Sequence, residues 1–298
     1  MLSIGPVLFN WTPECWRDFY FRMADEAPAD AIYVGEVVCS KRAPFFIPHL
    51  EEVVNRIRAA GKQVIVSLMA EVMSKADRRQ VADMLALEGM AFEVNDASQL
   101  AAVSGKPHAI GPYFNVYNEG TLCYLSHRGA EVFTLPFELP SSSMAVMCKT
   151  AAEHGVAVEV QVYGRIPLAL SARCYHARAH GLTKDGCQFV CGEDSDGLDL
   201  LTLDGTPFLT INGIQTMSNK YLNLLAETDR MAAMGITRYR LSPDSGDMVE
   251  VARLFRSRLD GKIASAEAIT RLSELRKAAQ FADGFYHGKP GTKWTYGR

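Results

Sequence analysis

Two hydrophobic rhythms alternate along the chain. Short runs that are apolar at nearly every position predict buried strands over Leu2–Asn10, Ala31–Val38, Gln63–Ala70, Ala91–Val94, His108–Val116, Val132–Leu139, Val156–Tyr163 and Arg238–Ser242. Between them, apolar residues recur every three to four positions, as on one face of a helix. Helices are predicted over Pro13–Asp25, where Trp16, Phe19, Tyr20 and Met23 share a face, and over Ile47–Ala59, with Pro48 in the first turn. Ser74–Glu88 starts on an N-capping serine and stops before Gly89. Ala97–Val103 follows Asn95-Asp96. Ser141–His154, Asn219–Met234 and Asp244–Leu259 end at or just before Gly155, Gly235 and Gly261.

Eight such alternations in 298 residues predict an α/β fold, a (β/α)8 TIM-like barrel, with a doubly wound sheet as the alternative. One slot departs from the pattern. After the seventh strand, about 70 residues stand where a crossover needs far fewer. They hold a cysteine-bearing loop, Ser171–Gly197, and then a β-hairpin pattern: Leu198–Leu203, a turn at Asp204-Gly205, and Phe208–Ile211. The expected organisation is a barrel over 1–260 with a metal-binding insertion at about 171–215. A C-terminal helix and irregular tail over 261–298 are expected to pack on it, through Phe285, Tyr286, Trp294 and Tyr296.

Composition narrows the class. With 48% hydrophobic and 22% charged residues the chain can bury a core, which excludes disorder and coiled coil. A net charge of −3, from 31 basic and 34 acidic residues, argues against a nucleic-acid partner. The longest apolar runs, such as 64–70, are too short to span a membrane. Met1-Leu2-Ser3-Ile4-Gly5-Pro6 lacks the basic start of a secretory signal, so a cytoplasmic protein is expected. No G-x-S-x-G, H-E-x-x-H or Walker A motif occurs, and no G-x-G-x-x-G follows the first strand. Serine and zinc peptidases, P-loop NTPases and Rossmann dehydrogenases lose ground accordingly.

The seven cysteines carry the most chemistry. An odd number in a chain without a signal argues against a disulfide framework and for reduced thiols. Cys174, Cys187 and Cys191 share one polar loop, separated by twelve and then three residues. Soft thiolates select zinc or iron–sulfur clusters, and a tetrahedral set needs a fourth ligand. Cys39 is the best candidate because it directly follows the second strand. In a barrel the loops after strands two and seven emerge on the same face. His176 and His180 lie in the same loop, so a mixed Cys/His zinc site competes. Lys41, Arg42, Arg173 and Arg178 would offset the negative charge of a thiolate cluster, or are plain surface charges. Cys15, Cys123 and Cys148 read as small packed hydrophobes.

The segment Glu159-Val-Gln-Val-Tyr-Gly-Arg-Ile-Pro-Leu-Ala-Leu-Ser-Ala-Arg-Cys174 resembles the signature of the collagenase-like U-family peptidases, in which a strand with Glu and Gly leads to a metal-binding cysteine segment. Phe92-Glu93-Val94-Asn95-Asp96 and Asn115-Val116-Tyr117-Asn118 extend the resemblance over most of the barrel. The family pattern has a cysteine where this chain has Pro167 and a glycine where it has Ala172, and Tyr163-Gly164-Arg165 replaces the commoner His-Gly-Ala. The branch with this variant, in which Cys39 supplies the missing ligand, implies a 4Fe–4S cluster on Cys39, Cys174, Cys187 and Cys191. It also implies a heterodimer with a sister member of the family and oxygen-independent hydroxylation of the quinone ring in ubiquinone biosynthesis. The quinone precursor would be presented by an accessory lipid-binding protein, and prephenate is the expected oxygen donor, as in relatives that hydroxylate RNA.

Four cysteine ligands would cap every iron, which favours electron transfer over direct substrate ligation. A cluster or zinc ion that only staples the insertion is the alternative, with the sister subunit carrying the chemistry. Peptidase activity lacks a visible nucleophile–base motif, and RNA modification is disfavoured by the acidic balance. Arg165, Glu36, Glu71 and Asn115 could face the mouth, whereas Asn95, Asp96 and Asn118 read as helix caps. None is singled out as catalytic.

Overall fold

The computed structural model describes residues 1–296. Eight parallel strands close a barrel: β1 (Leu2–Ile4), β2 (Ala31–Val34), β3 (Gln63–Ser67), β4 (Ala91–Val94), β5 (His108–Ile110), β6 (Ala130–Thr134), β7 (Ala157–Leu170) and, last in the chain, β11 (Arg238–Leu241). β11 pairs with β1 through Leu2↔Tyr239 and Ile4↔Leu241, and with β7 through Arg238↔Glu159, which completes the closure. The strands are shorter than their apolar runs predict. The remaining apolar residues, such as Leu8, Phe9, Val37, Val38 and Ala70, leave the strands and form a second core at the carboxyl end of the barrel.

Within the strands the period-two rule sorts side chains to two faces. Ile32, Val34, Val64 and Val66 face the helices, whereas Ala31, Tyr33 and Ile65 meet in the lumen. The surrounding helices are α1 (Pro13–Asp25), α2 (Ala43–Ala59), α3 (Lys75–Leu85), the short α4 (Leu100–Val103), α5 (Glu119–Ser126) and α6 (Ser141–Glu153). α1 starts where Thr12 accepts from the Cys15 amide and Pro13 presets the first turn, and it buries Trp16, Tyr20 and Met23 at i, i+4 and i+7. α3 opens with a full capping box between Ser74 and Asp77. The caps read from sequence at Asp96 and Asn118 hold, because their side chains accept from the amides of Ser98 and Thr121. Asn95 is instead buried and donates to the Leu68 carbonyl. Asn118 caps α5, a helix the sequence pattern does not predict.

The insertion differs most from expectation. β7 does not stop at Tyr163. It runs on to Leu170, parallel to β6 and β11 over its first half and antiparallel to β10 (Gln215–Asn223) over its second. Gly164 marks the change, with φ of +107°, and a Cβ there would stand 2.6 Å from that of Ser242. The helix predicted over Asn219–Met234 is therefore mostly absent. Residues up to Asn223 are strand, and α8 covers only Thr228–Ala233. Pairing with the β7 extension outweighs local preference there. The hairpin appears as β8 (Leu198–Leu201) and β9 (Pro207–Asn212), with β9 paired to β10. Cys174 follows the end of β7 by four residues and caps α7 (Tyr175–Ala179).

After β11 come α9 (Met248–Leu259), α10 (Ser265–Leu275) and β12 (Phe281–Ala282), which adds to β10. Tyr286 is buried, and Phe285, Trp294 and Tyr296 pack against the main core. Gly297 and Arg298 lie outside the described residues. Among the described residues no helix is long and apolar enough to cross a membrane.

Candidate metal centre at the barrel mouth

Cys39, Cys174, Cys187 and Cys191 line one cavity at the carboxyl ends of the strands, together with Arg42 and Ile214. Local structure aims each sulfur. Glu36 accepts from the amides of Val38 and Cys39 at 2.7 and 2.9 Å, which fixes the turn after β2. Cys174 ends an extended segment, and its Sγ accepts from the Ala177 amide at 3.4 Å. Gln188 and Phe189 both take left-handed backbone conformations, with φ of +48° and +56°. Such residues cost about 1–2 kcal/mol each, and here they curl the loop so that Cys187 and Cys191 face the same space. The insertion is tied to the barrel by the Trp11 indole donating to the Ser195 carbonyl at 2.7 Å and by Ser245 on Asp196. Burial pushes the thiols of Cys39 and Cys174 up, against the opposing pull of Arg42.

Arg42 is not a surface charge. It is 1% exposed and lies against Cys39 and Cys191. Its guanidinium donates to the Leu8 carbonyl at 2.9 Å and to Asn212 Oδ1 at 3.0 Å, and Nε is buried without a partner. Among the described residues no carboxylate lies within 4.0 Å of it. Gly213, at φ +61°, makes room for the guanidinium, because a Cβ there would stand 2.7 Å from Nη2. Lys41 reaches the Lys184 carbonyl at 2.6 Å across the same cavity.

Two further cavities open on this side of the barrel, one of them beside the thiols. A polar one of about 410 Å³ shares Cys39, Lys41 and Lys184 and is walled by Glu71, whose Oε2 is buried without a partner. Burial, opposed by Lys184, raises the Glu71 carboxyl above its usual range. The other, of about 210 Å³, is aromatic, with Tyr113, Tyr117 and Phe137 facing Asn115, Glu138 and Leu168. A buried chain of amides links it to the thiols. Gln215 donates to Tyr113 Oη at 2.8 Å, Asn212 donates to Gln215 at 3.3 Å, and Arg42 donates to Asn212.

Other sequence candidates resolve as structural groups. Arg165 lies inside β7, bonded to Thr210 and to the carbonyls of Ser218 and Asn219, and stacked 4.7 Å from the Tyr221 ring. Glu36 positions the Cys39 turn, and Asn115 holds a left-handed corner at φ +60°. His176, His180 and Asp194 form a separate ligand group with donor atoms within 4.8 Å of one another, and His176 Nε2 lies 2.9 Å from Asp194.

The fold and this mouth define a (β/α)8 barrel protein with a half-buried, thiol-lined pocket at the carboxyl ends of its strands. The sequence model of peptidase family U32 matches residues 20–296, and the chain belongs to that family. Among solved structures, the chain is similar to a mandelate racemase/muconate lactonizing protein from Paracoccus denitrificans (13% identity, 55% of this chain and 48% of that one, TM-score 0.38). It is also similar to an uncharacterized B. cereus protein (13%, 86% and 64%, 0.46). A third is phospho-2-dehydro-3-deoxyheptonate aldolase from Thermotoga maritima (10%, 94% and 70%, 0.36). The chain thus spans about half to two thirds of the length of the first two.

Proposed function

We propose that this chain works as the family member UbiV does: as the iron–sulfur subunit of an oxygen-independent ring hydroxylase in cytoplasmic ubiquinone biosynthesis, paired with the sister member UbiU. Arg42 carries the reading. A buried guanidinium is costly without counter-charge; the buried Glu36 carboxyl supplies part of it, and Cys39 and Cys191, which become anionic when they bind metal, also act on it. Cys39, Cys174, Cys187 and Cys191 would hold a 4Fe–4S cluster, whose chemistry when bound is one-electron transfer. The four sulfurs line one cavity, and four soft thiolates are the ligand set an iron–sulfur cluster takes.

The chain's own residues supply placement and charge. Arg42 offsets the centre's negative charge, and Glu36 holds the Cys39 turn. The aromatic cavity suits a phenolic ring, with Glu138 and Asn115 as its polar partners. The amide chain through Asn212 and Gln215 keeps ring and centre in fixed relation. The quinone precursor, delivered by a lipid-binding accessory protein, and prephenate as oxygen donor complete the proposal.

The His176, His180 and Asp194 group favours a second reading, in which a zinc ion staples the insertion and UbiU carries the chemistry. Anaerobic purification with iron and zinc counts separates the two. A brown protein with about four irons and absorption near roughly 400 nm is expected, with iron and ring hydroxylation both lost in Cys39→Ala. A colourless, zinc-bearing protein, or hydroxylation at the wild-type rate in Cys39→Ala, sinks the proposal.

A further inference from the structure

At the opposite end of the barrel, three side chains converge that the mouth does not use. Cys123 and His127 lie one helical turn apart at the end of α5, and His154 caps the C-terminus of α6. Their ligand atoms all lie within 4.8 Å of one another. The two imidazoles meet edge to face with centroids 5.4 Å apart. Each histidine precedes its next strand, β6 or β7, by three residues, so the group sits on the amino-terminal face.

We infer that Cys123, His127 and His154 form a zinc(II) site separate from the thiol mouth. Three features of the molecule carry this. The donor set, one thiolate and two imidazoles, is the borderline-soft kind that zinc prefers, and i, i+4 spacing puts Cys123 and His127 on one helix face. Both histidines cap helix C-termini, where the unpaired carbonyls carry partial negative charge and favour a cation. The competing cation is turned away, because Arg128 stacks 4.1 Å from the Tyr124 ring. Among the described residues, no hydrogen bond occupies the ring nitrogens of His127 or His154.

His127 is exposed and the other two are half-buried, so an ion can enter from solvent. Three protein ligands leave the fourth tetrahedral position to water or to a donor from outside the chain.

The test uses full-length protein, with iron content matched between wild type and Cys123→Ser, titrated with Co²⁺ and then Zn²⁺. About one Co²⁺ per chain should give thiolate-to-cobalt absorption in the near ultraviolet, displaced by zinc. That band should vanish in Cys123→Ser and persist in Cys174→Ser, which disables the mouth. His127→Ala, at an exposed ring, should weaken zinc binding by at least about 100-fold without changing the melting temperature. An unchanged cobalt spectrum in Cys123→Ser, or its loss in Cys174→Ser, overturns the site, whatever the fate of the mouth proposal.

Discussion

The lumen of the barrel and its mouth each bury an arginine, and they satisfy it differently. In the lumen, Arg240 stands between Glu93 and Glu159, stacks 3.9 Å from the Tyr33 ring, and shares Glu159 with the hydroxyls of Ser3, Tyr33 and Thr134. Burial works to raise the Glu159 carboxyl, but Arg240 and the hydroxyl donors outweigh it and hold it below its usual range. At the mouth, Arg42 bonds a carbonyl and an amide oxygen and lies against thiols, and the Glu36 carboxyl acts on it from beyond salt-bridge distance. There burial prevails, and Glu36 and Glu71 are both raised. A closed network, whose charges pair in direct contact, holds the barrel together, whereas at the open mouth Glu36 and Arg42 act on each other from a distance and burial keeps the carboxyl raised.

The largest effect should come from breaking the closed network. Arg240→Met leaves two carboxylates buried without their cation and should cost about 3–5 kcal/mol, read as a lower urea midpoint with an unchanged slope. A loss below about 1 kcal/mol would mean the lumen is not stabilised as described. The same network sets the acid limb. Because the folded pKa of Glu159 is depressed, its contribution is fully present above its unfolded value of about 4.3. It is lost as pH falls through the lower folded value. Glu159→Gln should be less stable than wild type at pH 7, and the gap should close in acid. A gap that widens on acidification contradicts the sign.

How much of this was legible in the sequence follows the same division. The barrel was, because its strands are short apolar runs and its helices carry their own caps, as at Ser74 and Asp96. The four cysteines were too, since topology alone places the loops after β2 and β7 on one face. The β7 extension and β10 were not. Gln215–Asn223 is polar enough to pass for a helix surface, and only pairing across some fifty residues makes it a strand. Arg42 could be noted as a cation beside Cys39, but its burial depends on Gly213, far away in sequence. The left-handed pair Gln188 and Phe189 carries no compositional signal, because neither is glycine or asparagine. Cys123 read as a packed hydrophobe, since His154 joins it only through the packing of α5 against α6.

An intermediate effect should come from crowding the open site. Gly213→Ala places a methyl 2.7 Å from the Arg42 guanidinium at a backbone angle that costs about 1–2 kcal/mol by itself. The melting temperature should fall modestly. The proposed iron centre should change more than the fold does, because Arg42 must move relative to Cys39 and Cys191. Unaltered iron content and visible absorption in this variant would show that Arg42 does not act on the thiols.

The smallest effect, and the sharpest on sign, is expected at Glu71. In the lumen, removing a carboxylate charge destabilises; at the mouth it should not. Glu71 has a raised pKa, chiefly from burial, with Lys184 in opposition, and its Oε2 has no donor. Folding therefore disfavours its ionised form, so wild type loses stability as pH rises through the folded value, while Glu71→Gln, which carries no charge to desolvate, does not. At pH 7 the variant should be at least as stable as wild type, and the difference should shrink as the medium is acidified. This is the opposite of Glu159→Gln in stability at pH 7. If both variants lose stability at neutral pH, the open and closed networks are not distinct in kind. Glu71 would then be satisfied by a partner at the mouth, as Glu159 is by Arg240 in the lumen.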